Sequence, residues 1–478
     1  MQFQLNTTSF YWLIRSIRVG YLFYFIIVLF SIDSEELIIA TVFSFIIIEL
    51  TIIRFLKNWY RFKRPKLLDW FRLSTFVFLI LNFLFLLFFL DQNSHLVLLE
   101  AVYVKSLTAL PAIITILIGL LAIDCGEVLA KQFYSINSSK STIRFGIRNR
   151  SFFYTSVILV GLVQIYLILN GIVGYKSDLE YNLSSFSFLI IIVDILGPLI
   201  LLILSSLFFL YEYRTLLFKL SFAGFFLLEI IFGFLSGMKE QIIVPFLLVI
   251  IPFIMSGRQL NNVLITLGVI FVLFLYPINN NYRKELGEER SSGKITVFIN
   301  AIERTFENGI AENFQSGTDS YQDRISLFPV LMYSIENEKD WNEYKYFNRY
   351  IYLPISWIIP RFLIPDKPVA TIGGTLYKTS TGRQNRTSIT PSTYGWAFFE
   401  GGYITTFMAF ALFGFFISYL ENNLTNRFLH RLIYITLLIS LLKVESDIYF
   451  KIAEILQNIF IIFLIHRLMF RQKHLLNV

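Results

Sequence analysis

The feature that most constrains this chain is a recurrence of uninterrupted apolar runs, each close to the ~20 residues an α-helix needs to cross a ~30 Å hydrocarbon layer. They fall at about 19–32, 37–55, 73–90, 107–123, 152–174, 188–210, 220–235, 242–255, 263–277, 403–420, 432–442 and 452–465. No water inside a bilayer satisfies backbone N–H and C=O groups, so such runs fold as helices that close their own hydrogen bonds. The expectation is an all-α polytopic membrane protein with about twelve transmembrane helices. The run at 432–442 is short, so it and a neighbour also fit a re-entrant pair, which leaves the parity of crossings unchanged. A chain that is 56% hydrophobic and only 15% charged excludes a soluble domain.

Charges between the runs orient them. Arg15 and Arg18 precede the first run, which is followed by no small-residue cleavage site and reads as an uncleaved first span. The loop after the second run carries Lys57, Arg61, Lys63, Arg64 and Lys66, and the positive-inside rule makes it cytoplasmic. With the N-terminus inside, 131–150, 211–219, 256–262, 421–431 and 466–478 also fall inside, and every one contains Lys or Arg. Both termini are then cytoplasmic. The net charge of +8 fits basic inner loops and does not call for nucleic acid. The single cysteine, Cys125, rules out a disulfide framework and a cysteine-built zinc site.

Three regions follow: 1–277 with nine spans, 278–392 as one large extracytoplasmic loop, and 393–478 with three more spans and a cytoplasmic tail. Loops as long as 278–392 are functional or disordered. Residues 283–343 mix both signs of charge at helical spacing and predict two or three soluble helices. The segment YIYLPISWIIP, interrupted by Pro354 and Pro360, is too short and broken to span and is expected to lie in the membrane interface.

The stretch 359–400 stands apart. It holds the cations Arg361, Lys367, Lys378, Arg383 and Arg386, a single acid (Asp366) before Glu400, and many Ser, Thr and Gly. Arg binds phosphate bidentately, Lys acts as a point charge, and Gly-rich backbone N–H groups cradle the same oxygens. A solvated basic loop beside lipid headgroups is the plainer alternative. SGMKE (236–240), a very short outer turn with Lys239 and Glu240, and Arg283, just past the ninth run, reach the same face. With Arg361 and Lys367 they suit a diphosphate at the membrane surface, although each alone also fits headgroup snorkelling.

Three acids, Glu49, Asp194 and Glu229, sit inside apolar runs, where an ionisable group costs at least about 2.5–3.5 kcal/mol and faces a cavity or a partner. If they line a pathway, a transporter is favoured. The large outer loop has no His, so a general base on that face must be a carboxylate: Glu400, Glu240, Asp366 or Asp447. No metal-binding motif, P-loop, dinucleotide fingerprint or serine-nucleophile elbow occurs.

IPRFLIPDKP followed by PSTYGWAFFEGGY resembles the Wzy-type O-antigen and capsule repeat-unit polymerases, polytopic glycosyltransferases of the GT-C kind. Pro360, Arg361, Pro365, Lys367 and Pro368 match the family's Pro-Arg and Pro-x-Lys-Pro element, and Pro391, Ser392, Gly395 and Gly402 its Pro-Ser element and Gly-rich span start. SGMKE resembles its Ser-Gly-x-Arg element with Lys239 in the Arg position, and Tyr282-Arg283 its post-span Tyr-Arg. The spacings Arg361 to Gly373 and Arg383 to Gly395 are each one residue longer than the family's Arg-x10-Gly. The likeness covers about 232–420. The chain departs from the family at Trp396, where a Glu is usual, and at Glu400, where an Asn is usual; either Glu400 takes over as base or the site has no carboxylate base.

The resemblance implies a GT-C-like fold in the bacterial cytoplasmic membrane. It also implies joining of polyprenyl-diphosphate-linked oligosaccharides on the outer face, with no nucleotide, metal or other cofactor. Lys239, Arg283, Arg361, Lys367 and Arg383 would hold the diphosphate, with Arg361 and Arg283 stabilising its developing charge and Glu400 as base. Trp357, Tyr377, Tyr394 and Trp396 would stack on sugars, unless they are interface anchors. Membrane lipids, a chain-length regulator and a flippase are the implied partners. Competing readings are an O-antigen ligase, a lipid-linked-glycan flippase or other transporter, and a catalytically silent assembly protein.

Overall fold

The computed structural model describes residues 7–31, 34–62, 65–89, 109–133, 144–170, 187–237, 239–258, 266, 268, 277–286, 294–307, 309, 327–337, 390–423 and 427–473. The apolar runs become helices. We number them α1 (Thr7–Ser31), α2 (Glu35–Arg61), α3 (Leu67–Phe85), α4 (Ala109–Lys131), α5 (Arg150–Leu169), α6 (Ser187–Leu210), α7 (Leu216–Leu235) and α8 (Lys239–Met255). After these come α9 (277–286), α10 (Lys294–Glu307), α11 (Leu327–Glu336), α12 (Ser392–Phe399), α13 (Gly402–Asn423), α14 (Arg427–Leu442) and α15 (Ile448–Met469). Among the described residues nine helices, α1 to α7, α13 and α15, are long and apolar enough to cross a bilayer. The chain is a predominantly helical polytopic membrane protein. Two further expected runs form the shorter apolar helices α8 and α14. The run 263–277 lies almost wholly outside the described residues. The only strands among them are β1 (Arg144–Ile147) and β2 (Phe470–Lys473), paired antiparallel with Arg144 opposite Lys473.

Two helices run further than hydrophobicity alone predicts. α3 begins at Leu67 rather than near 73, and α4 continues to Lys131 rather than stopping near 123. The extensions carry Asp69, Arg72, Asp124 and Glu127, which are neutralised together with Arg54 and Lys66. Arg72 lies 2.9 Å from Asp69, 2.6 Å from Asp124 and 3.2 Å from Glu127. Arg54 of α2 reaches Asp124 at 2.6 Å and Glu127 at 3.1 Å, and Lys66 reaches Glu127 at 2.5 Å. Three cations meet three carboxylates, so helix can continue where single charges would end it. Glu421 of α13 accepts from the Leu67 backbone N–H, and the Tyr434 hydroxyl of α14 donates to the Pro65 carbonyl, so five helices are tied at this end.

Glu49, one of the acids within a span, is paired: Arg18 of α1 donates to it at 2.5 and 2.9 Å, and Lys57 lies 3.8 Å away. It opens a π-turn, Glu49–Ile53, inside α2.

At the centre α4 and α13 cross almost backbone to backbone. A Cβ on Gly126 would stand 2.1 Å from the Ala411 carbonyl oxygen, and one on Gly414 would stand 2.6 Å from that of Ile123. Small residues permit this approach where lipid supplies no hydrophobic drive between helices. Phe71, Phe410, Phe413 and Tyr394 fill the space beside the crossing and are fully buried.

Candidate functional site

Sequence elements far apart in the chain meet at the turn between α14 and α15, Lys443-Val444-Glu445-Ser446. The turn is closed by Asp447, which caps α15 by accepting from the Tyr449 N–H at 2.9 Å. Glu240, the last residue of SGMKE, lies 2.7 Å from the Lys443 ammonium, and Glu454 of α15 lies 3.2 Å from it. Ser440 donates to the other oxygen of Glu454 at 3.2 Å. Burial works against the Lys443 charge, and Glu454 and Glu240 outweigh it, so its pKa is held above the ordinary lysine range. The stability gained this way is fully present below the unfolded lysine value and is lost only as pH rises through the raised one. Lys443 is therefore charged throughout the neutral range.

The Pro-Ser element folds as α12 and docks on the same turn. The Thr393 N–H donates to the Val444 carbonyl at 2.8 Å, and its hydroxyl lies 2.9 and 2.8 Å from the carbonyls of Val444 and Ser446, sharing one proton between them. Thr390 donates to the Glu445 carbonyl. Ser392 has φ 68°, in the left-handed region where an L side chain is strained by about 1–3 kcal/mol, and the docking bonds on either side hold it there. Thr393→Val preserves shape and removes the shared hydroxyl bond. The expected result is a loss of about 1–3 kcal/mol, read as a lowered melting temperature of the solubilised protein; an unaltered melt would remove this hydroxyl from the docking.

Every residue of α12 is buried. Tyr394 stacks on Phe410 with ring centroids 4.5 Å apart, and its hydroxyl shares a hydrogen bond with Thr75 at 3.0 Å. Tyr394 is thus a packing residue at 0% exposure, which corrects its expected sugar contact: both its face and its hydroxyl are already taken up. Trp396 is buried as well, edge-on to Phe399. Glu400, expected as the base, ends α12 at 1% exposure, and Gly402, at φ 72°, turns the chain into α13. Asp447 is a buried cap. Of the described base candidates Glu240 is the accessible one, with about 53% of its side chain exposed.

The Tyr-Arg element lies alongside. Tyr282 of α9 donates to the Leu235 carbonyl at 3.1 Å and is buried, so Tyr282-Arg283 abuts Ser236, where SGMKE begins. Asn281 donates to Thr305 at 2.8 Å and Arg304 pairs with Glu285 at 2.5 Å, which fixes α9 to α10. Arg283 is half-buried. Lys239 opens α8, and its side chain lies outside the described residues. Arg361, Lys367, Arg383, Trp357, Tyr377 and Asp366 also lie outside them.

Below the triad a cavity of about 230 Å³ opens between α6, α7, α8, α14 and α15. Asp194 and Glu229, the other two acids within spans, both line it, together with Glu240, Gln241, Lys443 and Glu454. Glu229 is 4% exposed and accepts from Gln164 of α5 at 2.5 Å. Gly197 makes this niche, since a Cβ there would stand 2.4 Å from the Glu229 oxygen. Pro198, also on the wall, has no N–H to offer the Asp194 carbonyl one turn earlier. Lys443 and Glu454 were not singled out from sequence; the available signal was the charge of KVESDIYFKIAE at the head of the last apolar run.

Compared with protein-family models, curated proteins and solved structures, the chain matches none.

Proposed function

We propose that this chain polymerises polyprenyl-diphosphate-linked oligosaccharide repeat units by glycosyl transfer on the outer face of the bacterial cytoplasmic membrane. One observation carries the reading. Two elements of the resemblance, SGMKE and PSTYGWAFFE, meet at the turn 443–446, with Glu240 against Lys443 and Thr393 against Val444, and a third, Tyr282-Arg283, packs against Leu235 just before SGMKE.

In this reading α8, α14 and the run 263–277 complete twelve spans of a GT-C-like architecture, with the 443–446 end outside and both termini inside. An acceptor hydroxyl attacks the anomeric carbon of the donor. The bond from that carbon to the diphosphate oxygen breaks, and the diphosphate leaves on the polyprenol. Arg361, Lys367, Arg383, Arg283 and Lys239 stabilise the charge that develops on it. The hydroxyl proton passes to a carboxylate, and exposure favours Glu240 over Glu400 for that task. No nucleotide or metal is required, and a flippase and a chain-length regulator would work beside it.

The acids Asp194 and Glu229 on a cavity wall favour a second reading, a lipid-linked-glycan transporter. Size-resolved analysis of surface glycans and of the lipid-linked pool in cells lacking the chain separates the two. Glycans stopped at one repeat unit are expected for the polymerase. Single repeats trapped on the inner face would mean a flippase, long chains stranded on the carrier a ligase, and an unchanged profile would end the glycan reading.

A further inference from the structure

We propose that the cavity between α6, α7, α8, α14 and α15 binds one hydroxyl-bearing sugar ring of the acceptor glycan and excludes the diphosphate. The inference rests on the glycan reading above and divides the substrate between two chemically opposite places.

The wall of the cavity is rich in acceptors. Four carboxylates, Asp194, Glu229, Glu240 and Glu454, face it with one cation, Lys443. That cation is engaged by Glu240 and Glu454, so neither the exposed Asp194 nor the buried Glu229 is paired with it. Asp194 and the second oxygen of Glu229 have no partner among the described residues, although Glu229 is almost wholly buried. A carboxylate oxygen on a cavity wall with no protein partner is open to a donor from the ligand. A diphosphate has only acceptors and negative charge to bring. Sugar hydroxyls donate, and hydrogen bonds to an ionised carboxylate are the strong ones.

Alternatives fit less well. Among the described residues no group of three or more Asp, Glu, His or Cys is placed to hold a metal ion. The volume is below the roughly 300–1,000 Å³ of clefts for drug-sized ligands and matches a single ring, not a whole repeat unit. The apolar wall at Pro198 and Leu202 suits the C–H face of such a ring.

The test uses the full chain in lipid nanodiscs, titrated calorimetrically with two probes: the free oligosaccharide repeat released by mild acid from the host's own glycan, and inorganic diphosphate. Asp194→Asn, Glu229→Gln and Glu454→Gln keep shape, and Asp194, which is exposed and makes no ion pair among the described residues, provides the variant with little folding risk. The expected result is an oligosaccharide affinity lowered about tenfold or more by Asp194→Asn and by Glu229→Gln, less by Glu454→Gln, whose carboxylate is already engaged by Lys443 and Ser440, with diphosphate binding unaltered in all three. Unchanged oligosaccharide affinity in all three variants overturns the cavity assignment while the glycan reading stands. Weakened diphosphate binding in the same variants also overturns it. No oligosaccharide binding by the native chain removes the glycan reading and the cavity assignment together.

Discussion

Replacing Arg72 with leucine is expected to remove most correctly folded protein from the membrane, leaving little monodisperse material after detergent extraction. Arg72 is 1% exposed and, among the described residues, is the only one that bonds Asp69, Asp124 and Glu127 together. Removing it leaves Asp69, at 0% exposure, with Asn58 and the Lys66 backbone N–H as its remaining partners among the described residues. It also leaves three carboxylates facing two cations. Breaking a buried pair in this way costs about 3–5 kcal/mol, because the surviving charge remains desolvated and uncompensated. That is a large share of the stability of an ordinary domain. The double variant Asp69→Asn with Arg72→Leu restores neutrality and should recover part of the loss. If Arg72→Leu alone extracts and melts like the native chain, the network is not what joins α2, α3 and α4.

This network also marks where the sequence stops being readable. Hydrophobicity located the spans well, because a bilayer imposes one rule on every backbone. It ended α4 too early at Ile123 and began α3 too late, because Asp69, Arg72, Asp124 and Glu127 count individually as charges. Their neutralisation together with Arg54 and Lys66 is a tertiary fact with no local signature. Glu49 shows the same limit from the other side: its position within a span was visible, but not its partner Arg18, 31 residues earlier. Asp194 and Glu229 were visible as anomalies, and only the packing of α5 through α8 shows that both reach one cavity beside Gln164 and Gly197.

At the candidate site the sequence supplied the elements and the fold supplied their meeting point. SGMKE, Tyr282-Arg283 and PSTYGW each carried a signal, whereas Lys443, which connects Glu240 to Glu454, looked like any charge at a span end. Tyr394 illustrates the reverse error. An aromatic beside a polar loop suggests a sugar platform, but a residue following Pro-Ser can equally turn inward, and here it stacks on Phe410. The expected cations at Arg361, Lys367 and Arg383 belong to the stretch outside the described residues.

The second large effect is all-or-none and bears on the central claim. A polymerase of this kind needs neither nucleotide nor soluble partner, since the donor's own diphosphate is the leaving group and fixed cations receive the developing charge. The measurement is product size after the purified full chain, reconstituted in liposomes, is supplied only with polyprenyl-diphosphate-linked repeat units. The account predicts a ladder at integer multiples of the repeat, with polyprenyl diphosphate released once per joining. Repeat units left at unit length by a folded, correctly inserted chain would contradict it.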